Sequence, residues 1–356
     1  MSNQKPFKGL KVIEFASVLA GPLVGRFFAE LGADVLKIEG PEGDVTRGWK
    51  NPIEKKETKT SSYFASANYG KTYQTLNLKL KSHQEEAQKI CKTADIVLVN
   101  FKPGIAKSFR LDFENLKNLN PNLIYGEITG FEKGNNRPAF DMVLQAEAGY
   151  LSMSGFPEKP FAKMPVALID VLSSHQLKEG ILIALLKREK INQAQKVSVS
   201  LIESAISSLV NQASNYLNDG FIPKPMGSDH PNIAPYGSVF YSKEKKPFLL
   251  AVGTNKQFKT LGNFLNFTEE VFENFSDNFK RVKNREMLNQ LIQKEVSLFY
   301  FKELKSSFLK LEIPFGQIKS MNEVFENEEN NQLIAQEIFE QGILKSVNTV
   351  SFKISN

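Results

Sequence analysis

KVIEFASVLAGPLVGRFFAELGADVLKIE, residues 11–39, is the stretch from which the fold can be read. Lys11–Phe15 is a short apolar run with the composition of a strand. Pro22 in the following segment suits the first turn of a helix, which the apolar spacing carries to about Gly32. Ala33–Glu39 is then a second strand, so these residues make one β-α-β unit. The rhythm continues outward with Thr75–Leu78, a polar helix from about Ser82, then Asp95–Phe101 and Leu123–Ile128. Strands alternating with helices predict an α/β protein with a largely parallel, doubly wound, Rossmann-like sheet.

Beyond Asp170, Leu177, Ile181, Ala184 and Leu185 recur at helix spacing. Residues 196–201 alternate like a strand, and Ile202, Ala205, Ile206, Leu209 and Val210 share one face of a further helix. Residues 219–232 are dense in Pro and Gly and read as a linker. After it come a hairpin around the charged turn Lys243–Lys246 and then amphipathic helices to about Glu340. The expected division is a large domain over 1–200 completed by about 330–356, a linker helix and loop over 201–224, and a smaller α+β domain over 225–329.

With 356 residues and 41% hydrophobic content, the chain is long enough for about two domains, each with its own core. It has no uninterrupted apolar run of about 18 residues, and its N-terminus lacks the apolar centre of a signal peptide. A cytoplasmic protein without membrane partners is expected. The single cysteine, Cys91, excludes an internal disulfide. The net charge of +6 favours an anionic partner, but Lys and Arg are spread along the chain, so a small anion is expected rather than nucleic acid.

Several chemistries are poorly supported. The turn after the first strand is not GxGxxG, and Pro22 removes an amide that a dinucleotide pyrophosphate would use. The histidines His83, His175 and His230 have no ligand spacing and there is no CxxC, so no metal is expected. His175 is five residues past Asp170, about 140° round a helix from it. There is no GxSxG elbow and no phosphate-binding GxxxxGK[ST]. What is left is an acid. Asp170 stands in VALIDVLSS, where an ionised carboxylate is costly unless it is paired, caps a helix, or is chemically employed.

Many segments taken in order resemble the family III CoA-transferases of the CaiB/BaiF type, which include formyl-CoA and carnitine CoA-transferases and 2-methylacyl-CoA racemases. The matching pieces are residues 9–22, 31–39, GDVTRGW (43–49), NYGKT (68–72), VNFKPG (99–104), RPAFDMVLQA (137–146), residues 167–190, QKVSVSLIESA, and GSDHPNIAPYGSVF. The resemblance implies that Asp170 is the nucleophile, working through a mixed aspartyl–acyl anhydride and an aspartyl–CoA thioester. A carboxylate attacking a thioester divides one hard exchange into easier steps, with nearby amides holding the oxyanion. For that role Asp170 is expected to be ionised at rest.

By position, the resemblance also implies that Val18, Leu19 and Ala20 contact the CoA nucleotide, that Lys71 is a basic CoA contact, and that Asn100 and Phe101 line the pantetheine channel. Lys107 and Arg137 are further candidate phosphate partners. CoA is thus implied as a substrate, an acyl-CoA and a carboxylic acid as partners, and an interlocked homodimer as the assembly. Where the racemase branch carries a histidine this chain has Phe140, and residues 251–258 hold no Glu. Two-base exchange at an acyl α-carbon needs such groups, so transfer is favoured over epimerisation. Gly40 and the absence of a glycine-rich turn at 191–195 depart from the family pattern, leaving a non-catalytic CoA-binding protein as a third reading.

Overall fold

The structure, a computed structural model, describes residues 5–132, 134–339 and 342–355. Residues 1–4, part of the N-terminal stretch read above, and Glu340 lie outside them. The described chain divides into two compact units. One comprises 1–150, 163–214 and 329–356, and the other comprises 151–162 and 215–328.

The first unit is built on a six-stranded parallel sheet of β1 (Lys11–Glu14), β2 (Asp34–Glu39), β3 (Thr72–Thr75), β4 (Ile96–Val99), β5 (Ile124–Thr129) and β6 (Gln195–Ser200), in the order β3-β2-β1-β4-β5-β6. The doubly wound sheet read from residues 11–39 is therefore present. Its central strands are apolar, Ile96–Val99 being wholly buried, as expected of a sheet covered on both faces. One face carries a core containing Val24, Phe28, Ile169, Leu177 and Ile181. These side chains come from α1 (Ala20–Glu30) and the long helix Leu168–Arg188. The other face carries Ala87, Cys91, Leu116 and Tyr125, with helices Lys81–Cys91 and Phe113–Leu119 over it.

Helix α1 is buried along nearly its whole length. It lies close enough to β1 that a Cβ on Gly21 would come within 2.4 Å of the Ala16 Cβ, and one on Gly25 within 1.9 Å of a Glu14 carboxylate oxygen. Glycine one turn apart is what permits this approach. Pro22 falls at the third helical position, where its missing amide is one that would have no intrahelical partner anyway.

Strand order reverses beside β1: the chain leaves it for β2 on one side, while β4 pairs on the other. A reversal of this kind is where an open α/β sheet forms a crevice beyond the C-terminal ends of its strands.

The continuous helix expected after residue 201 is instead two helices, Leu201–Ser207 and Val210–Asp219. Val210 takes φ +42°, which breaks the helical path. In the second unit, Tyr236–Tyr241 and Pro247–Ala251 form the expected hairpin, and Phe315–Gln317 adds a third strand. Helices over this sheet enclose a core rich in phenylalanine, including Phe240, Phe248, Phe258 and Phe308. The last α-helix ends at Phe325, earlier than the periodicity suggested. An antiparallel pair, Ile334–Phe339 with Gly342–Val347, follows, consistent with its β-branched, alternating sequence.

Candidate active site

The first turn of helix Leu168–Arg188 comes directly after the Pro-containing stretch 161–167, and Asp170 is the third residue of that helix. Asp170 does not cap it. The capping acceptor is Asp141, which is distant in sequence and opens the helix Asp141–Glu147. Its Oδ1 accepts the amides of Ile169 (2.7 Å) and Asp170 (3.3 Å), and its Oδ2 accepts from Gln145 Nε2 (2.6 Å). This leaves the Asp170 carboxylate itself for other work.

Asp170 is only 8% exposed. Burial, and then the negative charge of Asp141, push its carboxyl up to about 7. Its surroundings therefore work against the ionised form expected of a nucleophile at rest. Being in the first turn of a 21-residue helix favours the charged form, but burial and Asp141 outweigh it.

Around this turn, Leu19, Leu23 and Ala67 form a small buried cluster against which Val18, Tyr63, Ala167 and Val171 pack. The fold thus brings the β1–α1 turn beside residues on either side of Asp170. Tyr63 is half-buried, and burial together with the charges of Asp170, Asp141 and Asp44 pushes its hydroxyl up to about 12. It keeps its proton at neutral pH, and its ring meets Trp49 edge-on at 5.1 Å.

The other sequence-predicted positions divide into those that join this region and those that do not. Asn100, at the end of β4, clamps the β1 turn from both sides, with Oδ1 accepting the Ser17 amide (3.0 Å) and Nδ2 donating to the Ser17 carbonyl (2.8 Å). Phe101 packs its ring against Phe15 (6.0 Å) and Phe109 (5.8 Å). Asn100 thus ties the end of β4 to the β1–α1 turn that carries Val18, Leu19 and Ala20, while Phe101 packs into the core on the sheet's other face. Lys107 is exposed on the short helix Ile105–Ser108, outside the cluster next to Asp170. Arg137 is also exposed. It forms a two-point pair with Glu147 (2.9 and 2.6 Å) and stacks over Phe131.

Lys71 is placed differently from what a CoA contact requires. Its Nζ is turned into the protein, donating to Glu14 (2.9 and 2.8 Å), to the Pro22 carbonyl (2.9 Å) and to Asn68 Oδ1 (2.9 Å). An ammonium has three protons, and these acceptors take them all. Complete burial draws the Lys71 ammonium down to about 7, with Glu14 pulling the other way and Lys37 adding to the fall. Lys37 is buried beside it, paired with Glu14 (3.0 Å) and Asp44 (3.1 Å). Burial opposes its charge too, but these two carboxylates prevail and hold it above the usual lysine value.

A sequence model of CoA-transferase family III matches residues 7–351 of the chain. The chain belongs to CoA-transferase family III. It is 35% identical over 337 residues to the succinate–glutarate CoA-transferase of Agrobacterium fabrum, covering 91% of this chain and 83% of that protein. It is 29% identical over 335 residues to the human succinyl-CoA:glutarate CoA-transferase, covering 91% of this chain and 74% of that one. Among solved structures, a CaiB/BaiF family protein from Brucella suis superposes with a TM-score of 0.83 at 34% identity, covering 98% of this chain and 93% of the other.

Among the described residues no group of three or more His, Cys, Asp or Glu side chains is arranged to hold a metal ion, and no helix is long and apolar enough to cross a membrane. Sequence reading missed Tyr63, the capping role of Asp141, and the burial of Lys71 in a quartet with Glu14, Lys37 and Asp44. The quartet did carry a signal: Glu14 in KVIEF and Lys37 in DVLKIE are charges inside apolar strands, as conspicuous as Asp170.

Proposed function

We propose that this CoA-transferase works through Asp170 as a covalent nucleophile. The Asp170 carboxylate attacks the carbonyl of an acyl-CoA, the C–S bond breaks, and CoA thiolate leaves behind a mixed aspartyl–acyl anhydride. The thiolate returns to the aspartyl carbonyl, releasing the donor acid as its carboxylate and forming an aspartyl–CoA thioester. The acceptor carboxylate attacks that thioester to give a second anhydride and thiolate. Attack of the thiolate on the acceptor's carbonyl yields the new acyl-CoA and restores Asp170. No net proton is consumed.

The observation that carries this reading is a buried, otherwise unengaged carboxylate in the first turn of a long helix, where Asp141 already takes the exposed amides. Because its carboxyl is held near 7, the group is a stronger nucleophile once ionised than an ordinary carboxylate, yet it ionises within the physiological range. The relatives' names support succinyl-CoA as donor and a short dicarboxylic acid as acceptor. The CoA path is proposed along Val18–Ala20, Asn100 and Phe101, with Lys107 and Arg137 as phosphate partners and Lys71 left out.

We further propose a homodimer acting in the cytoplasm. Support for the dimer comes from apolar side chains left in solvent along one face of the helix Val210–Asp219, Val210 (70% exposed) and Leu217 (77%), two turns apart. Incubation with succinyl-CoA and glutarate should produce glutaryl-CoA in step with loss of succinyl-CoA. If α-deuterium instead enters an acyl-CoA in heavy water without any acceptor acid, the epimerase reading replaces this one.

A further inference from the structure

The turn between β1 and α1 is held by three side chains to which the proposed chemistry assigns no step. The carbonyl of Ala16 accepts from Lys37 Nζ (2.6 Å), Ser17 is clamped through its amide and carbonyl by Asn100, and the amide of Val18 points to the Asp44 carboxylate (3.2 and 3.4 Å). Val18 has φ +71°. This left-handed conformation is unfavourable for any residue with a Cβ and worse for a β-branched one. Something must therefore hold it there.

Asp44 is built for that task. It caps the short 3-10 turn Val45–Gly48, accepting the Thr46 amide (3.0 Å) and the Thr46 hydroxyl (2.8 Å) on Oδ1. Lys37 sits at 3.1 Å from Oδ2, and both side chains are 1% exposed. The carboxylate is thus pinned by two elements and presents its remaining capacity to Val18. Although burial works against its charge, Lys37 and Thr46 keep it ionised. The same lysine reaches Ala16, so one buried ion pair fixes both ends of the Ala16–Val18 segment.

We propose that Asp44 is a positioning residue for CoA transfer: by taking the Val18 amide it holds the β1–α1 turn in its left-handed form and so sets the backbone against which CoA docks. This rests on the proposed CoA path along Val18–Ala20. Asp44 touches no substrate in this scheme; its effect is exerted through the turn.

The test is a double-mutant cycle read by calorimetric CoA binding, with thermal unfolding measured alongside. In Asp44→Asn the charge-assisted bond to Val18 is lost, and CoA should bind about tenfold more weakly, the lower end of what such bonds contribute. Glycine adopts a positive φ freely, so in the V18G background the same D44N change should weaken binding by less than about threefold. D44N that unfolds at a lower temperature yet binds CoA like wild type overturns the proposal, as does an equal loss in both backgrounds. If D44N does not fold, Thr46→Val, which removes one support of the carboxylate, is measured instead; weaker CoA binding supports the proposal and unchanged binding overturns it. A wild-type protein that binds no CoA would defeat the proposed CoA path itself, a result distinguishable from any of these.

Discussion

Replacing Asp170 by asparagine should stabilise the protein, and the pH at which it does so can be worked out. The carboxyl moves from an ordinary 3.8 to about 7 on folding. Between those values the folded chain retains a proton that the unfolded chain has released. The stability this supplies is fully present below 3.8 and is lost as the pH rises through about 7. At about 1.4 kcal/mol per pH unit over about three units, the loss approaches 4 kcal/mol. The Asp170→Asn side chain resembles the protonated acid at every pH, so the variant keeps what the wild type loses. It should match wild type near pH 4 and exceed it by about 4 kcal/mol at pH 8. Urea unfolding at fixed protein concentration across that range gives the difference curve, with concentration held constant because association would shift the apparent stability. A difference that does not change between about pH 4 and pH 8, or a variant less stable than wild type at the upper end, would refute the argument that burial and Asp141 burden this carboxylate.

Other consequences are separately measurable. Asp141→Asn keeps an acceptor for the Ile169 amide but removes the like charge, so the acid limb of the pH–rate profile should move to lower pH; an unmoved limb would assign the Asp170 shift to burial alone. Lys71→Met breaks a buried pair, which typically costs about 3–5 kcal/mol, and should lower the unfolding temperature while leaving CoA affinity within about twofold of wild type. A tenfold loss of CoA affinity there would restore Lys71 as a ligand contact. Gly25→Ala drives a methyl into the Glu14 carboxylate and should destabilise by about 1–3 kcal/mol or more, seen as a lower denaturation midpoint.

The sheet was legible because its evidence is local: each strand and each turn from residue 11 to residue 39 carries its own pattern. Asp170 was legible for a related reason, since one acid in an apolar run is conspicuous wherever the run goes. The cap supplied by Asp141 was not, because the two residues meet only after a loop, a helix and a further crossing have been placed. Lys71 shows the limit of carrying a role by position. Its place in the chain resembles a CoA contact, but the direction of its side chain is decided by Glu14 and by the missing Cβ of Gly25. The break at Val210 likewise has no sequence mark, as valine continues the apolar face that made one helix plausible.

In the proposed mechanism Asp170 carries the acyl group and then CoA as covalent intermediates. It is tested most directly by intact-mass spectrometry after incubation with acyl-CoAs, quenched and trapped with hydroxylamine or borohydride, beside Asp170→Ala. Covalent catalysis by Asp170 should give an acyl, CoA or trapping adduct that maps to Asp170 and is missing from the variant. Transfer activity with no modification at Asp170, or activity that survives in Asp170→Ala, would contradict it.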